Sequence, residues 1–147
     1  MESEKFDIVI DCSDCVVGRI GAHVAKKLLL GYKVALLNAE RALFSGSLRN
    51  LKEKYQTRRS LKNKANPEFS PKWPRRPDLL VKRIIRGMLP WGSARGRDAY
   101  HNLRVYIGNP KNMKPNKEFG KVGDKTKYVS VEKLCLQLGY APKAKGG

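Results

Sequence analysis

The sequence predicts an α/β fold, with helices packed on a central, mostly parallel sheet. Residues 6–11 and 33–38 are short apolar runs with the length and composition of buried strands. The residues between them show the apolar periodicity of an amphipathic helix. Because a strand, a helix and a second strand in this spacing form a right-handed unit with parallel strands, the first quarter of the chain indicates the fold class.

The first helix is predicted to run from a cap at Ser13 or Asp14 to about Leu30. Its apolar stripe comprises Val17, Ile20, Gly21, Val24 and Leu28. A glycine inside such a stripe indicates that a neighbouring backbone approaches closely at Gly21. The opposite, polar side of the helix carries Arg19, His23 and Lys26.

The middle of the chain combines helix-forming and helix-breaking stretches. Residues 38–47 predict a short strand or a turn, hinged at Ser45 and Gly46. A basic helix is predicted for residues 48–64. Prolines punctuate residues 65–77, so this segment is predicted to be extended and held against another part of the molecule.

Residues 79–89 predict a second amphipathic helix, around which the rest of the chain is organised. Wound at about 100° per residue, it has one broad apolar sector made of Leu80, Val81, Ile84, Ile85, Met88 and Leu89. The gap opposite contains Lys82, Arg83 and Arg86. One face is therefore expected to bury in a core, and the other to stay cationic.

Gly87 and Pro90 predict the end of this helix, because glycine weakens the last turn and proline biases Leu89 away from helical angles. The next basic residues, Arg95 and Arg97, are then expected on a glycine-bearing loop near Trp91. A short helical turn and a strand at residues 103–107 are predicted to follow.

The last third of the chain is predicted to be mostly loop. Residues 111–127 are rich in Lys, Gly and Asn, which predicts a long segment that is ordered only by a partner. Ser130 caps a short helix that ends at Gly139. With no internal repeat or domain-scale linker, we expect a single domain over residues 1–147. Its parts are a core at about 6–110, a basic loop at 111–127, a C-terminal helix within 128–139 and a tail at 140–147.

Charge is the strongest global feature, with 31 basic and 13 acidic residues and a net charge of +18. Residues 58–97 alone contain twelve Lys or Arg and only two acids. So high a charge favours a polyanionic partner, and nucleic acid leads because no apolar run is long enough to span a membrane and no signal peptide is visible. Trp73, Trp91 and Tyr100 lie among the basic residues, where they could stack on unpaired bases or belong to the core.

Catalytic and metal sites are not indicated by the sequence. Cys12 and Cys15 have the spacing of a redox pair, but buried or incidental thiols in a reducing cytosol are the better interpretation. The third cysteine and two histidines lack paired spacing for zinc. The glycine-bearing loops match no nucleotide-binding motif, and the acids are scattered. We therefore expect no catalytic residues, no metal, no cofactor and no small-molecule substrate.

Several segments, in order, resemble the universal large-subunit ribosomal protein L13 family in its archaeal and eukaryotic form. They are VGR at residues 17–19, LNAE at 37–40, SG at 45–46, RRP at 75–77, Arg83 with RGMLP at 86–90, RGR at 95–97 and LRVY at 103–106. The resemblance runs from about residue 6 to residue 110. RGMLP followed by RGR and LRVY is specific, and the lack of a long basic extension favours an archaeal source.

The resemblance implies a three-layer α/β/α domain around a sheet of about four strands, with basic loop extensions. It also implies a non-enzymatic constituent of the large ribosomal subunit that binds large-subunit rRNA, joins assembly early and lies beside other ribosomal proteins in the cytoplasm. Residues that carry the rRNA role by resemblance are Arg19, Arg75, Arg76, Arg83, Arg86, Arg95 and Arg97. Charge alone adds Arg58, Arg59, Lys62, Lys64, Lys72 and Lys82. The alternatives are an RNA-modifying enzyme and a free-standing nucleic-acid-binding regulator.

Overall fold

The computed structural model describes residues 5–142, and within them it contains five strands and five α-helices. The strands are β1 (Ile8–Asp11), β2 (Val34–Leu37), β3 (Leu43–Ser45), β4 (Leu103–Val105) and β5 (Tyr128–Ser130). The helices are α1 (Val17–Leu29), α2 (Leu48–Ser60), α3 (Pro77–Arg86), α4 (Ala94–His101) and α5 (Val131–Gln137). The predicted tail lies partly outside the described residues.

Strands β1, β2 and β4 form a parallel sheet in the order β1, β2, β4. Val34 of β2 lies opposite Ile8 on one side and Leu103 on the other. The α/β class is confirmed. The parallel sheet has three strands where about four were expected, and β3 instead pairs with β5 in a separate antiparallel ribbon.

The two faces of the parallel sheet are covered differently. Ile10, Leu36 and Leu103 point into the main core, which they share with residues of all five helices. Val9, Ala35 and Leu37 point the other way and pack against Phe6, Tyr106 and Met113, which lie outside any helix or strand. Among the described residues, loops rather than helices thus cover this second face, which differs from the expected three layers.

Helix α1 begins later than predicted. Ser13 and Asp14 belong to the preceding turn, because the Asp11 carboxylate accepts the Ser13 N–H at 3.0 Å and Asp14 has a left-handed φ of +60°. Val16 is the cap residue, and its side chain makes no capping hydrogen bond. A close approach is found at Gly21, since a Cβ there would lie 2.9 Å from the Met88 sulfur. The prediction of an approaching backbone is wrong, because the nearest atoms belong to the side chains of Met88 and Ile85.

Helix α2 is capped by Ser47, whose hydroxyl accepts the Asn50 N–H, and it ends at Ser60 rather than near residue 64. The following segment is extended apart from one short 3-10 turn at Pro67–Phe69, as its prolines predicted. Pro77 then starts α3, where its missing N–H and fixed φ suit the first turn of a helix.

Arg95 and Arg97 lie in helix α4 and not on the predicted loop. Ser93 caps this helix, because its hydroxyl accepts the Gly96 N–H at 3.3 Å. A Cβ at position 96 would overlap the carbonyl group of Pro90, so glycine lets α4 pack directly against the turn that follows α3.

The basic loop at 111–127 is attached to the domain at several points. The Asn116 side chain accepts the Val9 N–H at 2.9 Å and donates to the Asp7 carbonyl at 3.1 Å. Further along, the Val122 N–H donates to the Asp14 carbonyl at 2.9 Å. The protein's own backbone and side chains therefore hold residues 111–127 in place. The sequence had predicted that only a partner would order this segment. Helix α5 and its Ser130 cap are confirmed.

Candidate nucleic-acid interface

Trp73 lies at the centre of the basic region, where the extended segment crosses helices α2 and α3. The guanidinium carbons of Arg58 and Arg83 lie over its ring, 4.7 and 5.0 Å from the centroid. The ring packs edge to face with that of Tyr55, which is buried in the core, with centroids 5.8 Å apart. Trp73 therefore joins two arginines from different helices to the core beneath them.

Arg59 fixes the backbone at this point, because its guanidinium donates a hydrogen bond to the Trp73 carbonyl. Burial lowers the pKa of Arg59 from its usual value, and the nearby charge of Arg75 lowers it further. An arginine stays protonated under such shifts. Arg59 and Arg75 are thus like charges that repel one another, and such a pair favours an anion beside it.

A second group of cations and aromatic rings continues along α3. The guanidinium carbon of Arg86 lies 4.0 Å from the centroid of the Trp91 ring, and the Lys82 ammonium lies 4.8 Å from that of Tyr100. Trp91 and Tyr100 pack edge to face, with centroids 5.0 Å apart. The two rings thus pack on one another and support cations at the surface, and Tyr100 also packs against the main core. Stacking of these rings on bases stays a prediction.

The cationic side of α3 is consequently not a freely solvated face. Lys82, Arg83 and Arg86 are each only partly exposed. Burial lowers the pKa of Arg83, and the charge of Arg86 lowers it further. Among residues 5–142, the buried Nε atom of Arg83 has no hydrogen-bond partner. Arg83 is therefore a partly desolvated cation.

Two surface clefts lie in this region. Arg59, which bonds to the Trp73 carbonyl, lines the first, and Trp73 itself lines the second. The first has a volume of about 430 Å³ and is lined by Gln56, Arg59, Ser60, Lys62, Arg75 and Leu138. The second has a volume of about 310 Å³ and is lined by Lys72, Trp73, Pro74, Leu79, Arg83 and Tyr100. Neither set of lining residues includes an acid. We call them the cationic cleft and the aromatic cleft.

Eight of the thirteen predicted RNA-binding residues thus take part in the stacks or the clefts. They are Arg58, Arg59, Lys62, Lys72, Arg75, Lys82, Arg83 and Arg86. The remaining five are exposed at other positions, with Arg19 on α1, Lys64 after α2, Arg76 before α3, and Arg95 and Arg97 on α4.

Some of those five side chains have partners within the protein. Arg76 forms an ion pair with Asp78 at 3.0 Å. Arg95 donates to the Leu29 carbonyl at 3.3 Å, which links α4 to the end of α1. These two arginines have structural contacts in addition to any role at the surface.

Sequence reasoning missed the polar and apolar partners of the cations. Gln56 lies three residues before Arg59 and four before Ser60 on α2, so the period of this helix could have revealed a shared face. Leu79 and Pro74 complete the aromatic cleft, but neither gave a signal in the sequence, because their placement depends on how the extended segment crosses α3.

The three cysteines are free and buried, as the sequence analysis favoured. Burial raises the pKa of the Cys12 and Cys15 thiols, and it raises the pKa of Cys135 to about 12. Such thiols are poor nucleophiles at neutral pH. Within residues 5–142 no cluster of His, Cys, Asp and Glu is placed to hold a metal ion. In the same part of the chain, no helix has the length and apolar character needed to cross a membrane.

Comparison with known proteins assigns the family. The family described as Ribosomal protein L13 matches residues 5–112, well over half of the chain. The chain belongs to the ribosomal protein L13 family. It is 39% identical over 132 residues to the large ribosomal subunit protein uL13 of Methanocaldococcus jannaschii, with 89% of this chain and 96% of the relative covered.

Other archaeal relatives agree with this assignment. The protein of the same name from Methanococcoides burtonii is 41% identical over 138 residues, covering 89% of this chain and 96% of the relative. The one from Haloarcula marismortui is 40% identical over 141 residues, covering 90% of this chain and 91% of the relative. The predicted resemblance and its archaeal type are confirmed. An L13 protein is a structural component and not an enzyme, so the RNA-modifying alternative is excluded.

Proposed function

We propose that this chain is a structural constituent of the large ribosomal subunit that binds and stabilises large-subunit rRNA, both during assembly and in the finished particle. Its relatives are named as large ribosomal subunit proteins. The observation that carries the rRNA role is the pair of clefts around Trp73, which gather cations from α2, the extended segment and α3 without an acid among their lining residues. In a protein of this family, rRNA is the polyanion that this surface fits.

The contacts are proposed to be mainly with phosphates and with RNA shape. Guanidinium groups stacked on Trp73 and Trp91 are held in place before RNA arrives, so less side-chain entropy is lost on binding. Phosphate contacts position a protein on RNA without reading its sequence. The other predicted residues, Arg19, Lys64, Arg76, Arg95 and Arg97, would then extend the interface over α1 and α4.

The chain is proposed to act as a single rRNA-binding domain in the cytoplasm, beside other proteins of the subunit. Charge supports this placement, since a protein with a net charge of +18 repels itself and is stabilised by a surrounding polyanion. A free-standing nucleic-acid-binding regulator is the alternative. Co-sedimentation of the tagged chain with large subunits in a high-salt sucrose gradient supports the ribosomal role, and migration as a free protein overturns it.

Binding to rRNA can be tested directly with a large-subunit rRNA transcript from an archaeal relative. We expect the affinity of the full chain to fall steeply with salt, because bound phosphates release counterions. Replacing Lys62 and Arg75 with Gln removes two charges from the cationic cleft. The affinity should fall about tenfold or more, and the slope of log K against log salt should drop by roughly 1.5.

A matched control removes two charges at Arg49 and Lys133, which are exposed and lie outside both clefts. This variant should lose clearly less affinity. Equal losses in the two variants would show that net charge, and not the cationic cleft, determines binding. A wild-type chain that does not bind the transcript would overturn the proposed function itself.

A further inference from the structure

We infer that the aromatic cleft receives one unpaired nucleotide of the bound rRNA, with the base against the apolar wall and a phosphate beside Lys72 and Arg83. This inference rests on the proposed function and specifies part of the interface. The clefts differ in chemistry. Five of the six residues that line the cationic cleft are basic or polar, with Leu138 as the exception, and such a lining suits a sugar-phosphate backbone. The aromatic cleft has a mostly carbon-lined wall.

The wall of the aromatic cleft consists of Trp73, Pro74, Leu79 and Tyr100. Leu79 is 47% exposed, although the next two residues of α3, Leu80 and Val81, are almost fully buried. Aromatic and aliphatic groups that remain open to solvent suit the face of any base. Bases within an RNA duplex are stacked on each other, so only an unpaired nucleotide can use this wall.

Charge favours a nucleotide over an apolar ligand. Lys72 and Arg83 line the same cleft, and none of the six lining residues is acidic. The cleft thus offers a carbon surface and two cationic side chains to the same ligand.

The position of the cleft favours RNA over a side chain of a neighbouring protein. Trp73 lines the aromatic cleft, and its backbone carbonyl accepts a hydrogen bond from Arg59, which lines the cationic cleft. A strand of RNA whose backbone follows the cationic cleft would therefore have its next nucleotides at Trp73. The acidic or aromatic side chain of another protein is the competing occupant, and the test below separates the two.

The experiment uses the full chain, the same rRNA transcript and the variant Leu79→Ala, which removes part of the wall but no charge. Leu136→Ala is the matched control, because Leu136 is 45% exposed on helix α5 and lines neither cleft. We expect Leu79→Ala to weaken rRNA binding roughly five- to tenfold, in the range found when a base loses its stacking partner. The salt slope should be unchanged, and Leu136→Ala should bind like the wild type.

Base-specific chemical probing of the complex gives a second readout that does not depend on affinity. We expect the wild-type chain to protect the pairing edge or face of one unpaired base, and Leu79→Ala to leave that base reactive. The inference is overturned if Leu79→Ala binds with wild-type affinity, or if no base loses its protection in this variant. Steep salt dependence of binding would still support the proposed function in either case. If Leu79→Ala binds the transcript normally but is retained more weakly in whole subunits, the occupant of the cleft is a protein side chain. That result also overturns the inference.

Discussion

The two faces of helix α3 show which features of this protein follow from its sequence pattern and which do not. On the apolar face, Leu80, Val81 and Ile85 are buried in the main core, as their spacing predicted. On the cationic face, Arg83 and Arg86 lie over tryptophan rings that come from segments before and after the helix. The first face is determined by periodicity within one helix. The second depends on contacts between distant segments.

Helix α1 shows the same difference. Its apolar stripe packs in the core as predicted, whereas His23 on its polar side lies under Phe119 of the basic loop, with ring centroids 4.8 Å apart. In both helices an aromatic residue from an irregular segment covers a polar side chain that the helical pattern placed in solvent. The surroundings of the polar face are therefore harder to predict from the sequence than those of the apolar face in both helices.

The largest expected effect is on the apolar face, with Ile85→Ala. Ile85 is fully buried, and its side chain lies close to Gly21 of α1. Removing its outer carbons leaves a cavity that the core fills only in part, so the free energy of unfolding should fall by about 2–5 kcal/mol. Urea denaturation of the RNA-free chain measures this loss.

Leu136→Ala serves as the control for this loss, because it removes similar carbon atoms from a half-exposed position. We expect it to cost about 1 kcal/mol or less. A similarly small cost for Ile85→Ala would mean that the apolar face of α3 is not the packed side of the helix, and the comparison of the two faces would fail.

Much of the fold could be predicted from local sequence. The strand, helix and strand of the first quarter, the Gly87 and Pro90 exit from α3 and the Ser130 cap of α5 all depend on residues within one element or its ends. Strand β5 and its pairing with β3 were missed. A three-residue strand has too short a pattern to recognise, and its partner lies more than 80 residues away.

The candidate site could be predicted in composition but not in arrangement. The excess of cations in residues 58–97 and the resemblance to the L13 family together indicated which part of the chain would bind rRNA. The grouping of Arg58 with Arg83 around Trp73 could not be predicted, since the path of a proline-rich segment depends on tertiary contacts. Arg95 was misplaced because the cap formed by Ser93 was overlooked.

The cationic face gives the second prediction, for the variant in which Arg83 and Arg86 are both replaced by Ala. Affinity for the rRNA transcript should fall about tenfold or more, since two stacked guanidinium groups are lost. Stability should also fall, by about 1–2 kcal/mol, because each cation contacts a tryptophan ring. Binding assays and urea denaturation of the same variant measure the two losses.

The stability of the double Ala variant shows whether Arg83 and Arg86 are stacked on tryptophan rings or freely solvated. Freely solvated arginines would leave stability nearly unchanged, and such a result would contradict the stacked arrangement. Replacing both residues by Lys instead keeps the charge but loses the planar groups. We expect it to retain more affinity than the Ala variant and to show a similar salt slope to the wild type.

The smallest expected effect tests the polar side of α1 through His23. Burial lowers the pKa of His23 below its usual 6.5, and the charges of Lys117, Lys27 and Lys26 lower it further. The unfolded chain therefore binds a proton at a pH where the folded chain does not. The stability contributed by neutral His23 should be present above about pH 6.5 and be lost as the pH falls below that value.

The measurement compares the wild type with His23→Gln by urea denaturation between pH 8 and pH 5. The difference in stability between them should shift against the wild type below the usual histidine pKa, because glutamine does not titrate in this range. If the difference stays constant with pH, His23 titrates alike in the folded and unfolded chains. Phe119 would then not cover the histidine, and the contrast between apolar and polar faces would hold for α3 alone.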